Sequence, residues 1–173
     1  MFTRHGEKRA QSFGQLSCQG LNRALALPDV LLKKFGTPAA IFAPDPSKRI
    51  TDHGKQFDYV RPLVTIEPTA IRLEMPVNTQ YGFEDLQPLQ DALTAKEYQD
   101  TTLFVAWEHR MIVKLLKQMI KHYGGNPDSI PAWAEDDFDS IYIVTLGQNT
   151  MKLTQDKEGL NQQSTLCPGP RAL

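Results

Sequence analysis

Apolar residues in this chain follow two alternating rhythms: compact runs suited to buried strands, and longer stretches in which one face repeats at helical spacing. Between Ser17 and Leu27 the repeat is Leu21, Ala24, Leu25 and Leu27, and Pro28 is expected to end that first helix. Ala39 to Ala43 is a short apolar run closed by Pro44-Asp45-Pro46, which reads as a buried strand running into a loop. Ser47 to Tyr59 is polar and without apolar period, so a surface excursion is expected there. Pro62 suits the first turn of a helix whose face carries Leu63, Ile66, Ala70 and Leu73, with a kink expected at Pro68. Met75 to Thr79 predicts a brief strand. A loop with Glu84-Asp85 follows, then a helix through Leu86, Leu89 and Leu93 with Pro88 in its first turn.

Thr101 to Trp107 is rich in β-formers, and Met111 to Tyr123 carries Ile112, Leu115, Leu116, Met119 and Ile120 at helical spacing until Gly124-Gly125. Ser140 to Leu146 predicts a last full strand, with Thr150 to Leu153 as a candidate to pair beside it. Residues 156–173, rich in Gln, Gly and Pro, are expected to form a loosely held tail after a single domain over 1–155. Strands alternating with helices imply α/β architecture: a mostly parallel sheet covered on both faces, with ligands at the carboxyl ends of the strands.

The 173 residues, 40% hydrophobic and 23% charged, suffice for one domain with a substantial core. The 19 basic and 20 acidic residues nearly cancel, so no global field favours a nucleic acid or a membrane, and any attraction for an anion has to be local. Cys18 and Cys167, remote in sequence, read as two lone thiols, with no metal-ligand spacing. No apolar run reaches the roughly 18 residues that cross a bilayer, and no signal-peptide pattern opens the chain, so a cytoplasmic location is expected.

Four polar segments stand where strands meet loops or helices: Arg4-His5-Gly6-Glu7, Arg61-Pro62-Leu63-Val64-Thr65, Glu84-Asp85 and Trp107-Glu108-His109-Arg110. The expected sheet brings His5, Arg61 and His109 to a single rim. In this order and spacing the segments resemble the histidine phosphatase superfamily, whose signature is an Arg-His-Gly triplet, a second arginine and a second histidine. The resemblance implies a three-layer α/β/α sandwich with a mostly parallel central sheet, phosphoglycerate mutase-like. It also implies an unusually short first strand, since only Met1-Phe2-Thr3 precede the triplet, and a trimmed or extended N-terminus is the expected reason.

The activity so implied is hydrolysis of phosphate monoesters, small-molecule or peptide, through a phosphohistidine, with no cofactor and no metal. A phosphate dianion repels anionic nucleophiles, whereas a neutral imidazole approaches it without that penalty. His5 is the expected nucleophile, its tautomer fixed by the Gly6 carbonyl. Arg4 and Arg61 would clamp the phosphate oxygens with planar forks, and His109 would add a donor as imidazolium. Arg61 is preferred to Arg49 because a threonine, Thr65, follows it by four residues as in the family. Glu84 is the expected proton donor to the leaving alkoxide, with Asp85 and Glu108 as rivals. Glu108 and Arg110 adjoin the phosphate site, although Arg110 equally suits a surface ion pair. Two other readings keep the same pocket: a phosphate-binding protein without turnover, and a phosphomutase, for which the chain lacks the long insertions that mutases carry.

Overall fold

The computed structural model describes residues 1–169. Its centre is a six-stranded sheet of β1 (Phe2–Arg4), β2 (Ala40–Phe42), β5 (Val77–Asn78), β6 (Leu103–Trp107), β7 (Ser140–Leu146) and β8 (Met151–Lys157), in the order β5-β2-β6-β1-β7-β8. The first four strands of that order are parallel, while β7 runs antiparallel to β1 and β8 antiparallel to β7. Four helices connect them: α1 (Cys18–Phe35), α2 (Arg61–Leu73), α3 (Leu86–Leu93) and α4 (His109–His122).

Strand alternation divides the core in two. Ile41, Phe104, Ala106 and Ile141 pack with Leu27 and Leu31 of α1 and with Ile66 and Ala70 of α2. Phe42, Val105, Trp107 and Tyr142 point the other way, toward Leu89 of α3 and toward Ile112, Leu116 and Met119 of α4. Helices therefore cover both faces of a mostly parallel sheet, a mixed α/β fold compatible with a three-layer sandwich. No helix among the described residues is long and apolar enough to cross a membrane.

Four expectations need correction. Pro28 does not end α1. The helix continues to Phe35 because Leu31 extends the buried stripe of Ala24 and Leu27, and that packing outweighs the hydrogen bond the proline removes. The polar excursion holds a hairpin, β3 (Arg49–Asp52) and β4 (Lys55–Asp58), turned by His53-Gly54 with φ of 48° and 74°. Both turn residues lie in the left-handed region, as a tight two-residue turn requires, and the largely exposed strands left no apolar alternation to read.

The last two concern the C-terminal segment. Pairing of β8 reaches Lys157, past the expected domain end, and the chain beyond is tied down: Glu158 and Leu160 are buried, and Asn22 Nδ2 donates to the carbonyls of Ser164 and Leu166. The tail is thus held as far as Cys167, while its residues 170–173 lie outside the described part. Cys18 and Cys167 form a disulfide rather than two thiols, because this segment folds back onto the start of α1. Separation along the chain carried no information about that proximity.

Candidate active site

In-register pairing of Arg4 with Trp107 brings the ends of β1 and β6 side by side, and the His5 backbone N–H donates to the Trp107 carbonyl at 3.2 Å. His5 and Glu108-His109 therefore leave the sheet as neighbours. Arg61 comes from the first turn of α2, where Thr65 Oγ1 accepts from Gly6 N–H at 2.9 Å and donates to the Arg61 carbonyl at 2.8 Å. That threonine couples the helix bearing one arginine to the loop bearing the histidine. On its other side the loop rests on α1, where Ser17 N–H and Oγ–H both donate to the Glu7 carbonyl. A Cβ at Gly20 would stand 2.3 Å from that same carbonyl oxygen, so only glycine permits this approach.

Arg4, His5, Arg61 and His109 are each at most 6% exposed. His5 Nδ1 lies 2.8 Å from the Gly6 carbonyl, an acceptor only, so Nδ1 carries the proton and Nε2 keeps its lone pair. Burial, and then the charges of Arg61, Arg4 and His109, hold the His5 pKa well below the ordinary histidine value despite that hydrogen bond. The ring is neutral at physiological pH. The Phe138 and Tyr59 rings, each 6.2 Å from the His5 ring between centroids, lie against Arg4 and Arg61 respectively, so both guanidinium groups flank His5.

Each arginine is tethered at one corner. Arg4 Nη1 donates to the carbonyls of Ala134, Glu135 and Asp137, with the Phe138 ring 3.9 Å from its Cζ. Arg61 Nη1 donates to Ser12 Oγ at 2.6 Å. The buried Nε of each has no partner, and Nη2 makes no hydrogen bond among the described residues. One planar edge of each fork is therefore unspent, the geometry that grips two oxygens of a phosphate. His109 opens α4. Glu108 caps that helix, its Oε2 accepting from Met111 N–H at 2.8 Å, while its Oε1 sits 2.8 Å from His109 Nδ1 without the angle of a formed hydrogen bond. Although burial pushes the Glu108 carboxyl up, His109 and backbone N–H groups outweigh it and hold the group below the ordinary value.

The remaining expected residues lie outside this cluster. Glu84 is exposed in the loop before α3; its neighbour Phe83 is pinned by Trp107 Nε1–H and packs edge-on to Tyr59 at 5.3 Å. Asp85 is occupied in accepting from Gly82 N–H at 2.9 Å. Arg110 points outward, exposed and paired with Glu135. Arg49 is exposed on the hairpin and bound to Asp58 at 3.1 Å, away from His5. The hairpin nevertheless borders the pocket, since Asp52 accepts from Ser12, which holds Arg61.

Sequence reasoning missed Tyr59, Phe138 and Ser12, all of which contact the cluster directly. None belongs to a chemical motif; only the nearness of Tyr59 to Arg61 and the place of Phe138 in the acidic run before β7 could have drawn attention, and nothing in the sequence marked Ser12. Among the described residues no group of His, Cys, Asp and Glu is arranged to hold a metal ion. A separate cavity of about 880 Å³, lined by Phe2, Leu103, Tyr98 and Val144, lies at the opposite ends of the strands and shares no residue with the cluster.

No family model and no curated protein matches the chain. Among solved structures it is similar to one named "Mycobacterial hydrolase 1", at 14% identity and a TM-score of 0.55, over 90% of this chain and 95% of that chain. At that identity the likeness is one of fold.

Proposed function

We propose that this protein is a phosphatase of the histidine phosphatase superfamily, phosphoglycerate mutase-like in fold, that hydrolyses phosphate monoesters through a phosphohistidine on His5. The observation that carries the reading is the pairing of a buried neutral imidazole, its Nε2 unengaged, with two arginines that each keep an unspent edge beside it. The name of the structural neighbour, a hydrolase, agrees in reaction type.

In the first step His5 Nε2 attacks phosphorus, the P–N bond forms, and the bond to the ester oxygen breaks. Arg4, Arg61 and His109 stabilise the phosphoryl oxygens. The leaving oxygen takes a proton from Glu84, an exposed carboxyl next in the chain to Phe83, whose ring packs on Tyr59. Glu108 fits the donor role less well, because its Oε2 is engaged in capping α4 through Met111 N–H and its Oε1 faces His109 Nδ1. In the second step water attacks phosphorus, the P–N electron pair returns to Nε2, and the Glu84 carboxylate takes the water proton.

An aryl phosphate should be hydrolysed, with a kcat/KM that shows no fall centred near pH 6.5 as acidity rises, because His5 titrates well below that value. Glu84→Gln should slow an alkyl phosphate by about 10²-fold and an aryl phosphate far less, since an aryl oxide leaves without a proton. Equal losses on both substrates would remove Glu84 from the mechanism. Absence of any turnover, with tungstate still bound, would favour a binding protein that retains the pocket.

A further inference from the structure

Among the described residues seven buried side-chain polar atoms have no hydrogen-bond partner, and five of them converge on the pocket: Arg4 Nε, Arg61 Nε, both ring nitrogens of His109, and the Tyr59 hydroxyl. The first four belong to groups already assigned to the phosphate. The fifth has no such assignment. Tyr59 is 1% exposed, with its ring edge-on to His5 at 6.2 Å and 86°, and the Arg61 Cζ is 4.9 Å from the ring centroid. Its oxygen lies beside the Arg61 guanidinium without the geometry of a formed hydrogen bond, and near enough to Glu108 and Arg4 to feel their charges.

Phenylalanine would fill this site equally well, and an unpartnered buried hydroxyl is destabilising. Its retention beside three other unspent donors is explained by a shared acceptor. Resting on the phosphatase reading, we propose that Tyr59 is a further catalytic residue, its O–H donating a hydrogen bond to a non-bridging oxygen of the transferred phosphoryl group. Burial pushes the phenol above its ordinary value, so the group donates without surrendering its proton.

The test compares Tyr59→Phe with the wild-type protein in tungstate binding by calorimetry and in kcat/KM for one aryl and one alkyl phosphate. The variant should lose about ten- to hundredfold in tungstate affinity and in both rates alike, with its thermal midpoint unchanged or raised. Unaltered tungstate affinity and rates would overturn the assignment. A loss confined to the alkyl substrate would also overturn it, because the hydroxyl would then serve the leaving oxygen. Should the wild-type protein bind tungstate yet hydrolyse neither ester, the phosphatase reading fails and the tungstate comparison alone decides Tyr59; failure to bind tungstate at all sinks both.

Discussion

His5→Ala should lower kcat for an aryl phosphate by at least roughly 10³-fold while leaving tungstate bound about as tightly as before. The two halves of that result come from different parts of the pocket. In the proposed mechanism anion affinity resides in the unspent edges of Arg4 and Arg61, whose corners are fixed by the 134–137 carbonyls and by Ser12, and neither anchor depends on the imidazole. Turnover by the proposed route needs the Nε2 lone pair, which the Gly6 carbonyl exposes by holding the proton on Nδ1. An aryl substrate isolates the nucleophile, since its leaving group asks little of the acid. Retained turnover would mean that another group, or water itself, attacks phosphorus.

The second large effect lies behind the site. Arg23 is fully buried and bridges Glu7, Asp139 and Glu158, joining the loop after His5, the entry to β7 and the C-terminal segment. Arg23→Ala should destabilise the protein by about 3–5 kcal/mol, measured by denaturant unfolding, because it strands carboxylates in the interior without their cation. Its pH dependence distinguishes this cause from a mere packing loss. Burial raises the Glu158 carboxyl to about 7 in the fold, against the pull of Arg23 and the Thr3 hydroxyl, so the folded state binds its proton more tightly than the unfolded chain. Stability from that proton is present below the unfolded value near 4.5 and is lost as pH rises toward 7. Without Arg23 the folded value rises further, and the deficit should be larger at pH 8 than at pH 5.5. A deficit independent of pH would assign the loss to cavity formation alone.

The parts of this architecture that were legible in the sequence are those with buried periodicity. Ser140–Leu146 emerged as a strand with those bounds, and the stripe from Ile112 to Ile120 marked α4, because burial on one face forces apolar residues into register. The hairpin of Arg49–Asp52 and Lys55–Asp58 is largely exposed, with only Ile50, Asp52 and Phe57 half-buried, and so carried no such pattern. Pro28 misled because a local rule was overridden by Leu27 and Leu31, both fully buried. The Cys18–Cys167 bond and the network around Arg23 depend on where the chain returns after β8, which no local pattern encodes. Within the site, His5, Arg4, Arg61 and His109 were readable because each sits at an element boundary with chemistry of its own. Tyr59 and Phe138 were not, since aromatic residues of a pocket wall look like any core residue until the chain is folded.

The proposed reaction passes through a covalent bond between phosphorus and one imidazole nitrogen. Rapid mixing with a labelled aryl phosphate, quenching in alkali and mapping the labelled peptide by mass spectrometry tests it most directly. The expected result is a single alkali-stable, acid-labile phosphoryl group on His5, absent from His5→Ala. Label on any other side chain, or burst release of the aryl product with His5 unmodified, would contradict it.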